Sequence, residues 1–190
     1  MNTLHAFLSS NFKQILIFDF DETIARIVID WTLWHKGVAE IIAQFDSDHV
    51  FNPGREHLYV NGSVKKYGKP LRDALWNFNE AYETTRATGL AVNEPLIAFI
   101  KNDKNYRKQL YTSNSKRAVT GFLHELGIET LFEQKCFRDD VDFIKPDPQG
   151  FWNILYDKSV SLQNYLMIGD SSSDEGMAKA VGIDFFKIEM

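Results

Sequence analysis

The sequence predicts an α/β fold built on a doubly wound parallel sheet, with helices covering both of its faces. Three observations predict it. Apolar runs typical of fully buried strands recur along the 190-residue chain, segments with helical spacing alternate with them, and the runs end in polar side chains. Because open parallel sheets bind ligands beyond the carboxyl ends of their strands, these polar residues are the first candidates for a functional site.

Four strands are predicted, at 15–18, 109–114, 164–170 and 184–188. The first is an unbroken apolar run, Ile-Leu-Ile-Phe, which is typical of a strand buried on both faces. The polar residues that follow or close the first three strands are Asp19, Asp21, Ser113, Asn114 and Asp170. Parallel strands would bring all five to one edge of the sheet.

Helical spacing fills the later intervals between the strands. Ser115 is suited to cap a helix that Gly127 stops. Further helices are expected at about 148–156 and at 173–181, the second ending at Gly182. Strands and helices that alternate in this way indicate a parallel sheet.

The first interval is too long for a simple crossover. Positions 19 and 113 are 94 apart, whereas a parallel connection needs only a dozen or more residues. Helical spacing over 33–45 and 71–82 predicts a small, mainly helical insertion over the end of the first strand. Between these helices, turns are predicted at Asn52-Pro53-Gly54 and at Asn61-Gly62-Ser63.

Composition excludes several classes of function. A net charge of -5 and a pI near 5.5 argue against a general nucleic-acid binder, which needs a concentrated basic surface. The single cysteine, Cys136, excludes an internal disulfide and is expected as a buried strand residue in a reducing cytosol. Without a basic apolar leader or a membrane-length run, a cytoplasmic protein with no membrane partner is expected.

The polar residues at the strand ends suit phosphoryl chemistry. Asp19 is a candidate nucleophile, since a carboxylate can attack phosphorus and form an acyl phosphate, and Asp21 is placed to transfer protons. Ser113 and Asn114 can donate hydrogen bonds to phosphoryl oxygens, and Lys145 offers a positive charge. Asp170 adds a hard oxygen ligand suited to magnesium. Because carboxylates alone would repel a phosphate, a metal cation is expected.

Each of these features has an ordinary structural explanation when taken alone. An aspartate after a strand is often a turn or a helix cap, Ser113-Asn114 fits a helix start, and Lys145 before Pro146 fits a solvated loop. Asp170 and Asp174 would favour the following helix through its dipole. The occurrence of all four segments at strand ends, in one order, is what indicates a common site.

Those segments, in this order, resemble the haloacid dehalogenase superfamily of aspartate-nucleophile phosphatases. The resemblance covers 15–23 and the chain from 108 onward. It implies a Rossmann-like catalytic core made of 1–23 and 93–190, with 24–92 inserted as a helical cap. Glu22 differs from the glycine common at that position in many members, although other members carry glutamate there.

The resemblance also implies a role for each candidate. Asp19 would be the nucleophile and Asp21 the general acid and base, with Ser113, Asn114 and Lys145 holding the phosphoryl group. Magnesium would be held by Asp19, Asp170 and the backbone carbonyl of Asp21, and Asp174 would support the site. An acid at position 21 favours phosphate chemistry, because the dehalogenases of the superfamily typically lack one there.

The expected function is therefore a magnesium-dependent phosphatase that hydrolyses a small phosphorylated metabolite, a phosphomonoester, through a phosphoaspartate. Two alternatives stay open: a phosphotransferase or phosphomutase of the same fold, and a catalytically silent binding module. Substrate choice is expected in the cap, where the possible contacts are Trp31, Trp34, His35, Arg55, Lys65 and Lys66. For the two lysines, a solvated turn beside Tyr67-Gly68 is the stronger interpretation.

Overall fold

The computed structural model describes residues 1–48 and 56–190, and none of their helices is long and apolar enough to cross a membrane. The strands are β1 (Ile15–Phe18), β2 (Ala25–Val28), β3 (Gly89–Val92), β4 (Arg107–Tyr111), β5 (Gln134–Cys136), β6 (Tyr165–Gly169) and β7 (Asp184–Lys187). The α-helices are α1 (Asn2–Ser10), α2 (Trp31–Ala43), α3 (Glu56–Tyr67), α4 (Lys69–Thr85), α5 (Glu94–Asn102), α6 (Lys116–Glu125), α7 (Gln149–Ile154) and α8 (Ser172–Val181).

The predicted parallel sheet is confirmed, with strand order β5-β4-β1-β6-β7. The chain starts at the central strand, moves outward through β4 and β5, and then returns to the other side through β6 and β7. This reversal opens a crevice at the carboxyl end of β1, where α/β sheets bind ligands. Phe18 pairs with Leu110 and with Ile168, so β1, β4 and β6 reach this edge together.

Two apolar layers cover the sheet, as a doubly wound fold requires. Leu16 and Phe18 of β1 pack into the cluster formed with α1, α5 and α6. Ile15 and Ile17 point to the opposite face and pack against residues of α7 and α8. All four side chains are fully buried. Burial of the central strand on both faces fixes the position of the residues that follow it.

The helix cap and the helix end predicted from neighbouring residues are present in the structure. The Ser115 hydroxyl caps α6 by accepting a hydrogen bond from the Ala118 N–H, and Gly182 ends α8 with a left-handed φ of 78°. Cys136 is buried in β5, as expected. The predicted strand at 109–114 is too long at its carboxyl end: β4 stops at Tyr111, and the next three residues form a loop.

Helices α2, α3 and α4 pack around a core of their own within the segment expected to be a cap. α2 and α4 approach closely at Gly37, where a Cβ atom would lie 2.2 Å from the Phe78 ring. The sequence patterns did not predict β2 and β3, which pair antiparallel, Ala25 opposite Val92, and flank the three helices. The boundaries drawn at 24 and 92 stay predictions.

The predicted turn at Asn61-Gly62-Ser63 is wrong, because these residues lie inside α3. Tertiary contacts override the local turn preference: the buried Asn61 amide donates to the Ile144 carbonyl at 2.7 Å and accepts from the Ile144 N–H at 3.0 Å. Lys65 and Lys66 occupy the last turn of α3 and not a separate turn. The turn predicted at Asn52-Pro53-Gly54 lies outside the described residues.

Candidate active site

Asp19 stands directly after β1 and is buried, with an exposed fraction of 7%. Its Oδ1 lies 2.7 Å from Nζ of Lys145, a residue that the sequence separates from it by most of the chain. Burial raises the pKa of the Asp19 carboxyl, and the Lys145 ammonium opposes that shift. The candidate nucleophile is therefore held in a fixed ion pair, away from bulk water.

Lys145 is almost completely buried, and its three ammonium protons all have acceptors. Besides Asp19, these are Asp174 Oδ1 at 2.6 Å and the Tyr111 carbonyl at 3.0 Å. Burial lowers the pKa of Lys145, but the two carboxylates outweigh burial and raise it overall, which keeps the ammonium charged. The solvated loop lysine that the sequence alone allowed is excluded.

Asp174 is fixed by the start of α8. Its Oδ2 accepts hydrogen bonds from the N–H and the hydroxyl of Ser171, while its own N–H donates to that hydroxyl, which makes a capping box. The close approach of Asp174 to β6 requires glycine at 169, because a Cβ atom there would lie 2.5 Å from the Asp174 Cγ. Asp174 thus acts as a rigid anchor for Lys145.

A carboxylate cluster occupies this end of the site. Oxygen atoms of Asp19, Asp170 and Asp174 all lie within 4.8 Å of one another. Burial raises the pKa of Asp170, and the Asp174 carboxylate adds to that effect. Three carboxylates facing one ammonium leave an excess of negative charge in a buried place, which a divalent cation would balance. Hard oxygen donors at this spacing fit magnesium.

Asp21 lies on the wall of the same cavity, but its side chain is outside the carboxylate cluster. Its Oδ1 accepts a hydrogen bond from the Ile27 N–H at 2.8 Å. Burial raises the pKa of Asp21 to about 7, and the Ile27 hydrogen bond reduces the shift. A carboxyl group that titrates near neutral pH is suited to both donate and accept a proton.

Ser113 and Asn114 lie on the loop after β4 and line the cavity. The Ser113 hydroxyl makes no hydrogen bond with other described residues, so it is available to a ligand. The Asn114 side chain is already engaged, with its oxygen accepting from Thr112 Oγ1 at 2.9 Å and its amide donating to Glu83 at 3.3 Å. The structure therefore offers Ser113 as the direct contact and Asn114 as a residue that shapes the loop.

Sequence reasoning missed the ion pair that supports this loop. Glu83 of α4 and Arg138 are both about 95% buried, and their carboxylate and guanidinium meet in a bidentate contact at 2.7 and 3.0 Å. The same carboxylate accepts from the Ser115 N–H at 2.8 Å, and Arg138 donates to the Ser113 carbonyl at 2.9 Å. No motif marked these residues, because their partners are distant in sequence.

The cavity above these residues has a volume of about 260 Å³ and is shared by the sheet edge and the inserted helices. Of the cap contacts considered, Trp31 and Trp34 line it, while His35, Lys65 and Lys66 do not. His35 pairs with Glu56 at 3.0 Å, and Lys66 with Asp46 at 2.9 Å. Arg55 lies outside the described residues. The lining residues that the sequence did not single out include Glu56, His57, Val60, Trp76 and Asn79.

Comparison with known proteins places the chain in a family. The family model of haloacid dehalogenase-like hydrolases matches residues 16–188. A phosphoglycolate phosphatase of Colwellia psychrerythraea is 27% identical over 186 residues, covering 90% of this chain and 82% of that protein. A phosphorylated carbohydrates phosphatase of Thermotoga maritima is 27% identical over 142 residues, which cover 67% of this chain and 65% of that protein.

Solved structures of other proteins share the fold of this chain. CbbY of Rhodobacter sphaeroides, solved in complex with phosphate, has a TM-score of 0.62 and 19% identity, covering 94% of this chain and 87% of that one. At this identity the likeness concerns the fold alone. The family match over nearly the whole chain decides the assignment: the chain belongs to the haloacid dehalogenase-like hydrolases.

Proposed function

We propose that this protein is a magnesium-dependent phosphatase that hydrolyses a small phosphomonoester through a phosphoaspartate formed on Asp19. The observation that carries the proposal is the contact between Asp19 and Lys145 inside the carboxylate cluster, with Asp21 on the same cavity wall. The names of the two phosphatase relatives support the reaction class. The buried single cysteine suits the reducing cytoplasm.

In the proposed reaction, Ser113 donates a hydrogen bond to a phosphoryl oxygen, the positive charge of Lys145 attracts the phosphoryl group, and phosphorus comes into line with the Asp19 carboxylate. Asp19 attacks phosphorus while the bond from phosphorus to the ester oxygen breaks, and Asp21 gives its proton to the departing alcohol. Asp21 then takes a proton from a water molecule that attacks the phosphoaspartate. The bond between phosphorus and Asp19 breaks, inorganic phosphate leaves, and both carboxyl groups return to their starting states.

Asp19, Asp170 and the backbone carbonyl of Asp21 would hold the magnesium ion, with Asp174 anchoring Lys145 beside them. When bound, magnesium neutralises the negative charge of the carboxylates and of the phosphoryl group. The carboxylate cluster fits this role, since the described residues bring three acidic side chains together and supply a single ammonium against them.

The proposal is tested by phosphate release from a panel of phosphorylated metabolites in the presence of magnesium. Asp19→Asn is expected to abolish release, while Asp48→Asn, an exposed aspartate of the inserted segment, serves as the matched control. Unchanged release by Asp19→Asn would overturn the mechanism. Release that depends on an added second alcohol would favour a phosphotransferase, and no turnover with any member would favour a binding module.

A further inference from the structure

The half of the cavity that faces the inserted helices differs in chemistry from the carboxylate end. Three of the four tryptophans of the chain, Trp31, Trp34 and Trp76, line it together with aliphatic side chains. The fourth, Trp152, lies outside the cavity lining and is half exposed. Concentration of large aromatic side chains in one wall gives this half an apolar surface suited to a ring.

The polar atoms of this wall are largely occupied by the protein itself. Trp34 Nε1 donates to Asn79 Oδ1 at 2.6 Å, and the Asn79 amide donates to the Leu75 carbonyl at 2.8 Å. Trp76 Nε1 donates to the Arg138 carbonyl at 2.8 Å. The indole N–H groups of Trp34 and Trp76 are therefore used, and what these residues offer a ligand is hydrocarbon and aromatic surface.

His57 is the exception. It lines the cavity, is partly buried and makes no hydrogen bond with other described residues. Burial lowers its pKa, which favours the neutral imidazole at neutral pH. A neutral imidazole has one donor and one acceptor nitrogen, the pair of functions that recognises a hydroxyl group.

Charge in this half disfavours a second anion. Among the described lining residues the cations are Lys145 and Arg138, and both are already bound by carboxylates. Glu83 is the carboxylate that binds Arg138, and Glu56 pairs with His35 at 3.0 Å. Within the described part of the lining, a leaving group with its own carboxylate would find no cation that is not already bound, and it would lose its hydration.

From these observations, and resting on the proposed phosphatase function, we propose that Trp31, Trp34, Trp76 and His57 select a phosphomonoester whose alcohol is an uncharged, hydroxyl-bearing ring. The ring packs against the indoles, and His57 hydrogen-bonds a ring hydroxyl. A substrate whose alcohol carries a carboxylate is disfavoured.

The test compares kcat/KM of the magnesium-loaded, full-length protein for three substrates: a hexose phosphate, glycerol phosphate and phosphoglycolate. The hexose phosphate is expected to exceed phosphoglycolate at least about 10-fold, with acyclic, uncharged glycerol phosphate between them. Equal or better hydrolysis of phosphoglycolate would overturn the inference and leave the phosphatase function standing. Hydrolysis of none of the three would overturn both.

Variants separate recognition from structural support. His57→Ala is expected to lower kcat/KM for the hexose phosphate by about 2- to 10-fold, the effect of one neutral hydrogen bond, with a smaller loss for phosphoglycolate. His57→Gln, which keeps a donor and an acceptor, should recover part of the lost kcat/KM for the hexose phosphate. Trp31→Ala should also lower kcat/KM for the hexose phosphate more than for phosphoglycolate, and it should leave the fold intact because the Trp31 side chain is already 44% exposed. His124→Ala and Trp152→Ala are the matched controls, and equal losses for all substrates would contradict the assignment.

Discussion

At the scale of single residues, Glu22 shows how the site constrains the backbone. It follows Asp21 and has a φ of +55°, the left-handed region that L-residues rarely adopt. Glycine enters this region without a Cβ clash, which gives a physical reason for the glycine common at this position in the family. The backbone is therefore strained at Glu22, in the turn that carries Asp21.

We predict that Glu22→Gly changes the free energy of unfolding only slightly, between no change and a gain of about 1.5 kcal/mol. Relief of left-handed strain contributes about 1–2 kcal/mol, and the greater flexibility of unfolded glycine offsets about 0.5–1 kcal/mol of it. Glu22→Val should lose more than about 1 kcal/mol, since a β-branched residue fits this conformation worst. Urea unfolding measures both, and equal stability of the two variants would contradict the explanation.

At the scale of elements, the ion pair of Glu83 and Arg138 joins α4 to the segment after β5 and supports the loop after β4. Glu83 binds the guanidinium, the Ser115 N–H and the Asn114 amide, so a helix of the inserted segment positions the loop that presents Ser113. A second ion pair between α4 and the core, Arg72 with Asp142, lies nearer the surface. The two pairs connect the same parts of the molecule at different depths.

We predict that Glu83→Ala lowers the free energy of unfolding by about 3–5 kcal/mol, because it leaves the Arg138 charge buried without a partner. Asp142→Ala, which removes the exposed pair, should cost about 1 kcal/mol or less. Chemical denaturation of both variants provides the comparison. Similar losses of unfolding free energy in the two variants would show that burial does not determine how much these ion pairs stabilise the fold.

Much of the fold follows from sequence because its signals are local. An unbroken apolar run before Asp19, caps such as Ser115 and stops such as Gly182 depend on neighbouring residues, and the structure agrees with them. The turn predicted at Asn61 was wrong because the residue that Asn61 binds, Ile144, is distant in the chain. β2 and β3 were missed for the same reason, since two short strands depend on pairing with each other and on the packing of Ala25 and Ile27 into the core.

The same limit applies to the candidate site. Asp19, Asp170 and Lys145 were selected because each lies in a recognisable segment, and the structure brings them together. His57 and Glu83 lie on helices whose patterns mark only an apolar face. Their approach to the cavity depends on how the inserted helices dock, which no local spacing encodes.

At the scale of the whole molecule, metal binding should stabilise the fold, because the proposed ligands Asp19 and Asp170 directly follow β1 and β6. We predict that magnesium at a hundred times its Kd raises the free energy of unfolding of chelator-treated protein by about 2.7 kcal/mol. Asp170→Asn should remove most of this gain, and Glu175→Gln, exposed on α8, should keep it. An unchanged gain in Asp170→Asn would place the ion elsewhere.

The central claim is that Asp19 carries the phosphoryl group during turnover. Protein quenched in acid while hydrolysing a substrate, then digested and measured by mass spectrometry, tests it most directly. Asp21→Asn should help with a substrate whose leaving group departs without a proton, since water attack on the phosphoaspartate slows when its base is missing. The account predicts one phosphorylated peptide with the modification on Asp19. Phosphorylation at another residue, or turnover by Asp21→Asn without any phosphorylated peptide, would contradict it.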